Sequence, residues 1–341
     1  MIHLDDRTIE QLLDLAGVTD AVGAAFAAWG RGEAATTQRV RASASDAMAS
    51  AMAAVVPPFT GGKIYATKDG KFTFLNVLFD TDGRLLCTLD GDALTAFRTP
   101  AACALAIREL STVAGPSSGS AGGSTRSGTT SGTTAALVGA GRQGWYHLEM
   151  LARELPGLLA VRITDINPQA VATMVARANA AGIPAVAAAD AASAVDGAQV
   201  IVTVTQSTAP LFPSSVVGDD ALICAVGATK YDRCEIGPEL IARCAAVVCD
   251  DVVGSRVECG DLIQAHAAGA FDWDRAIELH AVMARTVQVP RSGAAPVLFE
   301  TQGVALQDVA AAGLAWQRHQ SLATFPDSGI QTPMNHQETT L

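Results

Sequence analysis

Near the N-terminus apolar residues recur at helical spacing, and Val22, Ala25, Phe26 and Trp29 would share one buried face. A short apolar run, Met1 to Leu4, precedes Asp5 and Asp6, which stand where a helix cap is expected. From Gly62 to Leu89 the texture changes to short runs rich in β-branched and aromatic residues, broken by Lys68-Asp69-Gly70 and Thr81-Asp82-Gly83. That pattern predicts antiparallel strands joined by turns. Ala101 to Leu110 reads as an alanine-rich helix.

Residues 115–134 are almost entirely Gly, Ser, Thr and Pro with one charge, a composition that cannot repay the entropy of ordering. They are expected to form a flexible surface segment and to mark a boundary. Beyond it, short continuous apolar runs alternate with helical stretches: Ala135–Gly139 and a helix from about Gln143, Ala160–Thr164 and a helix from about Pro168, then Gln199–Thr205, Ala221–Val226 and Ala245–Cys249. Strands buried on both faces between helices predict a doubly wound parallel sheet, and so an α/β fold.

Composition sharpens this picture. At 341 residues with 49% hydrophobic and 17% charged residues, the chain has material for two domains and is globular over most of its length. A net charge of −11 argues against nucleic acid as a partner. No run of about 18 apolar residues occurs, and Asp5, Asp6 and Glu10 stand where a signal peptide would be basic and then apolar. The expectation is a cytoplasmic protein that does not enter membranes. Seven cysteines, at 87, 103, 224, 234, 244, 249 and 259, include no C-x-x-C pair, and the six histidines fit no zinc spacing, so no metal site is expected.

Chemistry first surfaces at Gly139-Ala140-Gly141-Arg142-Gln143-Gly144, a G-x-G-x-x-G between an expected strand and an expected helix. Gly139 would turn the chain, Gly141 would let the backbone approach a pyrophosphate, and Gly144 would let helix and strand pack closely. Asp165, 26 residues past Gly139 at the end of the next strand, could accept from a ribose 2′-hydroxyl and repel a 2′-phosphate. The pair points to NAD(H) rather than NADP(H). As a structural alternative, Asp165 would cap the turn before Asn167-Pro168.

Four stretches together resemble the ornithine cyclodeaminase/mu-crystallin family: Gly62-Lys63, Leu94 to Ala102 (LTAFRTPAA), the glycine fingerprint, and Phe299 to Asp308 (FETQGVALQD). The resemblance spans nearly the whole chain. It implies a substrate-binding and dimerisation domain of α+β type at 1–114, the segment 115–134, an NAD-binding Rossmann domain at 135–303, a helix at 304–330 returning to the substrate domain, and a tail at 331–341. It also implies that Arg39, Lys63 and Arg98 hold a substrate carboxylate, with Arg41 as the alternative to Arg39. Arginine offers a carboxylate a planar fork, and lysine adds a charge that can pass a proton. The cofactor set becomes Thr99, Gly139, Gly141, Arg142, Gln143, Gly144, Asp165, Thr205, Gly227 and Gly303.

Two departures from the cyclodeaminase pattern matter. Thr229 stands where those enzymes carry a catalytic aspartate, with Asp232 three positions on, and a second carboxylate position falls near Ser50. Deaminating cyclisation needs a carboxylate at the substrate amine, and threonine cannot serve. The Gly-Ala-Thr pattern resembles the ketimine reductase branch. The segment between Ile64 and Leu78 reads as a loop shorter than the family's. The expected activity is reduction by NADH of a cyclic imine of a 2-oxo acid, Δ1-pyrroline-2-carboxylate or Δ1-piperideine-2-carboxylate, with Lys63 or a water held by Thr229 as proton source. Alternatives are a cyclodeaminase, an alanine dehydrogenase-like enzyme, or a nucleotide-dependent binding protein of mu-crystallin type. The expected assembly is a homodimer.

Overall fold

The computed structural model describes residues 2–68, 71–113, 132–289 and 295–324. The expected turn at Asp69-Gly70, nearly all of the Gly/Ser/Thr segment and the C-terminal tail lie outside them. The chain opens with β1 (Ile2–Leu4), α1 (Asp6–Leu12) and α2 (Leu15–Gly30). Asp5 caps α1 by accepting from the Thr8 N–H at 2.8 Å, and Val22 and Phe26 of α2 are fully buried, as the spacing predicted. Strands β2 (Ala35–Thr36), β3 (Val40–Ala44), β4 (Ala47–Val56), β5 (Phe59–Lys68), β6 (Lys71–Asp80) and β7 (Leu85–Asp90) follow, then α3 (Asp92–Leu110). The first sheet runs β1-β7-β6-β5-β4-β2, with β3 also on β4.

Four expectations need correction here. Strands β3 and β4 escaped the sequence reading because alanine, serine and methionine carry little β preference; pairing on both sides of β4 overrides it. The segment between Ile64 and Leu78 is two strand arms in register rather than a loop. Helix α3 begins at Asp92, not Ala101, and continues through Pro100. Arg98 therefore sits on a buried helix.

The fourth correction is that β8 (Thr133–Val138) starts two residues earlier than expected, within the segment read as flexible. After it come α4 (Arg142–Glu154), β9 (Leu158–Thr164), α5 (Pro168–Ala180), β10 (Ala185–Ala187), α6 (Ala191–Val195), β11 (Val200–Thr203), β12 (Leu222–Ala225), α7 (Pro238–Arg243), β13 (Ala246–Cys249), α8 (Val252–Glu258), α9 (Gly260–Ala267), β14 (Ala276–Glu278), α10 (Leu279–Met283), β15 (Val297–Glu300) and α11 (Ala305–Thr324). The second sheet is parallel throughout, in the order β10-β9-β8-β11-β12-β15-β13-β14. The order reverses between β8 and β11, where loops leave in opposite directions and open a crevice.

Alternate residues of the parallel strands feed two cores. Leu137, Ile163, Val202, Cys224 and Phe299 point into a core shared with α2, α3 and α11, while Val138, Ile201, Ile223 and Leu298 meet α6, α7 and α9. Helix α11 packs on α2, α3, β4 and β5, so the last helix described returns to the first sheet. Arg108 of α3 grips the fully buried Glu154 of α4 with two hydrogen bonds, at 2.7 and 2.9 Å. Removing one member of such a pair strands a buried charge, so Arg108→Met should cost about 3–5 kcal/mol in urea unfolding, and adding Glu154→Leu should restore most of it. A single-variant loss under ~1 kcal/mol, the size of an exposed pair, would mean that this contact does not hold α3 to α4.

Candidate active site

The glycine loop joins β8 to α4 at the crevice. Gly139 has φ of 117° and donates to the Thr164 carbonyl at 2.9 Å; a Cβ there would lie 2.6 Å from the Val204 carbonyl. A Cβ on Gly144 would lie 2.2 Å from the Gly139 carbonyl, whereas one on Gly141 would meet nothing within 4 Å. Two glycines thus close the turn and the third leaves room for an approaching ligand. Arg142 pairs with Asp92 at 3.0 Å, and Gln143 reaches the Thr95 carbonyl at 3.4 Å. The Gln143 Oε1 is buried without a hydrogen-bond partner among the described residues. Asp165 accepts from the Ala140 N–H at 2.7 Å and from the Asn167 N–H at 2.8 Å, so it performs the turn-capping role and also anchors the glycine loop.

Beside this loop lies a cavity of about 390 Å³. Thr99, Gly141, Arg142, Gln143, Gly144, Thr205, Gly227, Thr229 and Gly303 all line it, together with Arg98. Sequence positions more than 200 residues apart are brought together here. Asp232 is exposed and absent from the lining, and Ser50 is buried in β4, so neither places a carboxylate beside Thr229.

The three expected cations fall into two groups around Gly303. Lys63, on β5, donates to Thr95 Oγ1 at 2.6 Å and to Asp308 Oδ1 at 3.2 Å, with its ammonium 4.4 Å from the centre of the Phe74 ring. Arg98, on α3, donates to Gln307 Oε1 at 2.9 Å, has its Nε 3.5 Å from the same Asp308 oxygen, and lies where a Cβ on Gly303 would be. Arg39 lies on the other side, donating to the Gln302 and Gly303 carbonyls at 3.1 and 2.9 Å and to Glu258. Arg41 pairs with the other oxygen of Glu258, and its side chain is 28% exposed against 8% for Arg39. Burial, above all, and the nearby Arg98 and Arg39 guanidiniums bring the Lys63 ammonium down to about 8, against the opposing pull of Asp308.

Several participants were not assigned from sequence. Asp308 and Gln307 were quoted within the late motif and Thr95 within the arginine-threonine motif, but a shared acceptor for two cations becomes visible only when α11 packs across β5 and α3. Glu258 carried no signal of its own. Asp250, pushed up to about 6 by burial, accepts from Thr301 Oγ1 at 2.6 Å and the Gly303 N–H at 2.8 Å and shapes the turn where Gly303 takes φ of 81°. Among the described residues no group of three or more His, Cys, Asp or Glu side chains could hold a metal ion. No single described helix is long and apolar enough to cross a membrane.

Comparison with known proteins bears on this architecture. The chain is 33% identical over 232 residues to Δ1-pyrroline-2-carboxylate reductase 2 of Burkholderia ambifaria, a match covering 68% of this chain and 65% of that protein. It therefore spans just under two thirds of that relative's length. The probable ornithine cyclodeaminase of Bordetella pertussis superposes with a TM-score of 0.84 at 31% identity, covering 96% of this chain and 99% of that one. The iminosuccinate reductase of Paracoccus denitrificans, solved in complex with NAD+, superposes with a TM-score of 0.82 at 25% identity, covering 95% of this chain and 97% of that one. Residues 2–322 match the sequence pattern of one family. The protein belongs to the ornithine cyclodeaminase/mu-crystallin family.

Proposed function

We propose that the protein is an NAD(H)-dependent reductase of imines derived from 2-oxo acids, acting on a cyclic ketimine such as Δ1-pyrroline-2-carboxylate or Δ1-piperideine-2-carboxylate. The observation that carries this reading is the Lys63–Asp308–Arg98 cluster, whose Arg98 lines the cavity headed by the glycine loop together with Thr229 and no carboxylate. The Burkholderia relative bears the corresponding name and the Paracoccus structure holds the corresponding cofactor.

The residues fit a dinucleotide. The space beside Gly141 that a Cβ would fill, the N–H groups at the start of α4 and the orphan Gln143 Oε1 are suited to a pyrophosphate and the sugars or amide beyond it. Asp165 keeps acceptor capacity for a ribose hydroxyl and would repel a 2′-phosphate. When bound, the cofactor supplies hydride to the C=N carbon. Arg98 and Arg39 hold the substrate carboxylate and so fix the prochiral carbon. The proton for the imine nitrogen starts on Lys63 Nζ and passes through the Thr95 hydroxyl, its 2.6 Å partner on the helix that also carries Arg98. Thr229 leaves no base to deprotonate an amino-acid substrate, which disfavours the lyase.

We further infer the domain division at residues 1–114 and 135–303, with 304–330 completing the first domain, and a homodimer. Val40, Ala51, Ile64 and Leu75 form one cross-strand row on the sheet face opposite Lys63. Val40, Ile64 and Leu75 are 65%, 51% and 39% exposed, an apolar stripe that a second copy would cover. All seven cysteines are buried and unpaired, which suits a reducing, cytoplasmic setting.

The decisive assay follows NADH oxidation with cyclic imines and with open-chain 2-oxo acids plus ammonia. A cyclic imine should be consumed with NADH preferred to NADPH, and ornithine with NAD+ should release neither proline nor ammonia. Proline from ornithine at a higher rate than imine reduction would replace this reading with the lyase.

The proton source has its own signature. Lys63 is active as the acid, so kcat/KM should be level below pH about 8 and fall about tenfold per pH unit above it. Lys63→Arg, whose side chain stays protonated, should remove that falling limb; a limb unchanged in the variant would assign the proton to another group. For assembly, light scattering should give twice the chain mass, and Ile64→Glu should give the single-chain mass. A wild-type monomer would overturn the dimer.

A further inference from the structure

Behind the cavity floor lies a carboxylate that the mechanism above does not use. Glu235 ends the loop that begins at Gly227 and carries Thr229. Its Oε1 accepts from the Thr205 N–H and the Thr205 hydroxyl, both at 2.6 Å; its Oε2 accepts from the Gly227 N–H at 2.7 Å and the Thr203 hydroxyl at 2.9 Å. Thr205 and Gly227 themselves line the cavity, so Glu235 stands one hydrogen bond behind its wall. A Cβ on Gly227 would lie 2.0 Å from the Thr205 carbonyl and 2.6 Å from Oε1, so glycine is needed there first by the Thr205 backbone and then by Glu235.

The number of donors decides where the charge lies. Four donors take the four in-plane acceptor sites of Glu235, and two of them are backbone N–H groups that cannot turn round and accept. A proton on either oxygen would force the threonine hydroxyl on that oxygen to turn from donor to acceptor; burial pushes the Glu235 carboxyl up, and the four donors oppose it by favouring the carboxylate. The neighbouring carboxyls differ: Asp261 takes the Glu235 and Ile236 N–H groups on Oδ1 and leaves Oδ2 bare, and Glu300 leaves Oε1 bare. Those bare oxygens are where protons sit. Among the described residues Glu235 has no ion pair with a lysine, arginine or histidine, so its buried negative charge is uncompensated.

We propose that Glu235 is an electrostatic positioning residue that favours the cationic, oxidised nicotinamide over the neutral, reduced one, and so makes bound NADH a stronger hydride donor. The inference rests on the cofactor reading above. In the transfer, the dihydronicotinamide C–H bond breaks with both electrons, a new C–H bond forms at the imine carbon, the imine nitrogen takes its proton, and the ring is left with one positive charge. Only the last of these changes is felt by Glu235, through a water-poor wall that weakens screening. No bond to Glu235 is made or broken.

Calorimetric titration with NADH and NAD+ separately tests the proposal. Glu235→Gln should raise the NAD+ dissociation constant relative to that of NADH by about tenfold, a tenfold change being 1.4 kcal/mol. Glu235→Asp, which keeps the charge, should keep the ratio nearer wild type even where both affinities drop. A folded Glu235→Gln protein with an unchanged ratio overturns the proposal, since loss of loop order alone weakens both nucleotides together. Should that variant fail to fold, the wild-type protein still decides the matter with benzamide adenine dinucleotide, a neutral isostere of NAD+. NAD+ should bind several-fold more tightly than the isostere, and equal or weaker binding overturns the proposal. A wild-type protein that binds neither NADH nor NAD+ defeats the cofactor reading and this inference with it.

Discussion

Helix α3 is buried on nearly every side, and the site depends on that constraint. It lies between the first sheet's helices and the parallel sheet, touching α2, α4, α11, β12 and β15. A helix can be enclosed so tightly only if its side chains are small, and Ala93, Ala96, Ala101, Ala102, Ala104 and Ala106 are all fully buried. The same enclosure fixes Thr95, Arg98 and Thr99 at the cavity with little rotational freedom. Bulky residues along α3 would separate the two sheets and move the cation cluster away from the glycine loop.

Enclosure raises an electrostatic problem that the chain resolves by sharing. Lys63 and Arg98 are buried against one oxygen of Asp308, and the enclosed Arg39 shares the two oxygens of Glu258 with the more exposed Arg41. Two cations per carboxylate leave each group with a single positive charge. A single positive charge is far easier to enclose than two.

Much of this was legible in the residues. The glycine fingerprint announced its own geometry because each glycine answers a local steric demand, and the alternation of apolar runs announced the parallel sheet because both its faces are covered. The alanine-rich strands β3 and β4 were not legible, since their conformation is imposed by neighbours paired at a distance along the chain. Arg98 was found as a motif residue, but the helix that carries it was expected only from Ala101, because Pro100 conceals the turns before it. Asp308, Glu258 and Glu235 act through partners up to 245 residues away, and no spacing rule relates such positions.

The joint at Glu258 has one more consequence. Arg39 and Arg41 belong to the first sheet, whereas Glu258 closes α8 of the second, so the residue expected to grip a ligand also rivets the two halves of the protein together. An arriving carboxylate that draws Arg39 away loosens that rivet. Thermodynamic linkage makes the relation reciprocal: the free energy by which ligand loosens the seam equals the free energy by which an opened seam tightens its hold on ligand. If Arg39 grips the ligand as proposed, entry to the cleft and recognition within it form a single equilibrium, with Glu258 as the internal competitor.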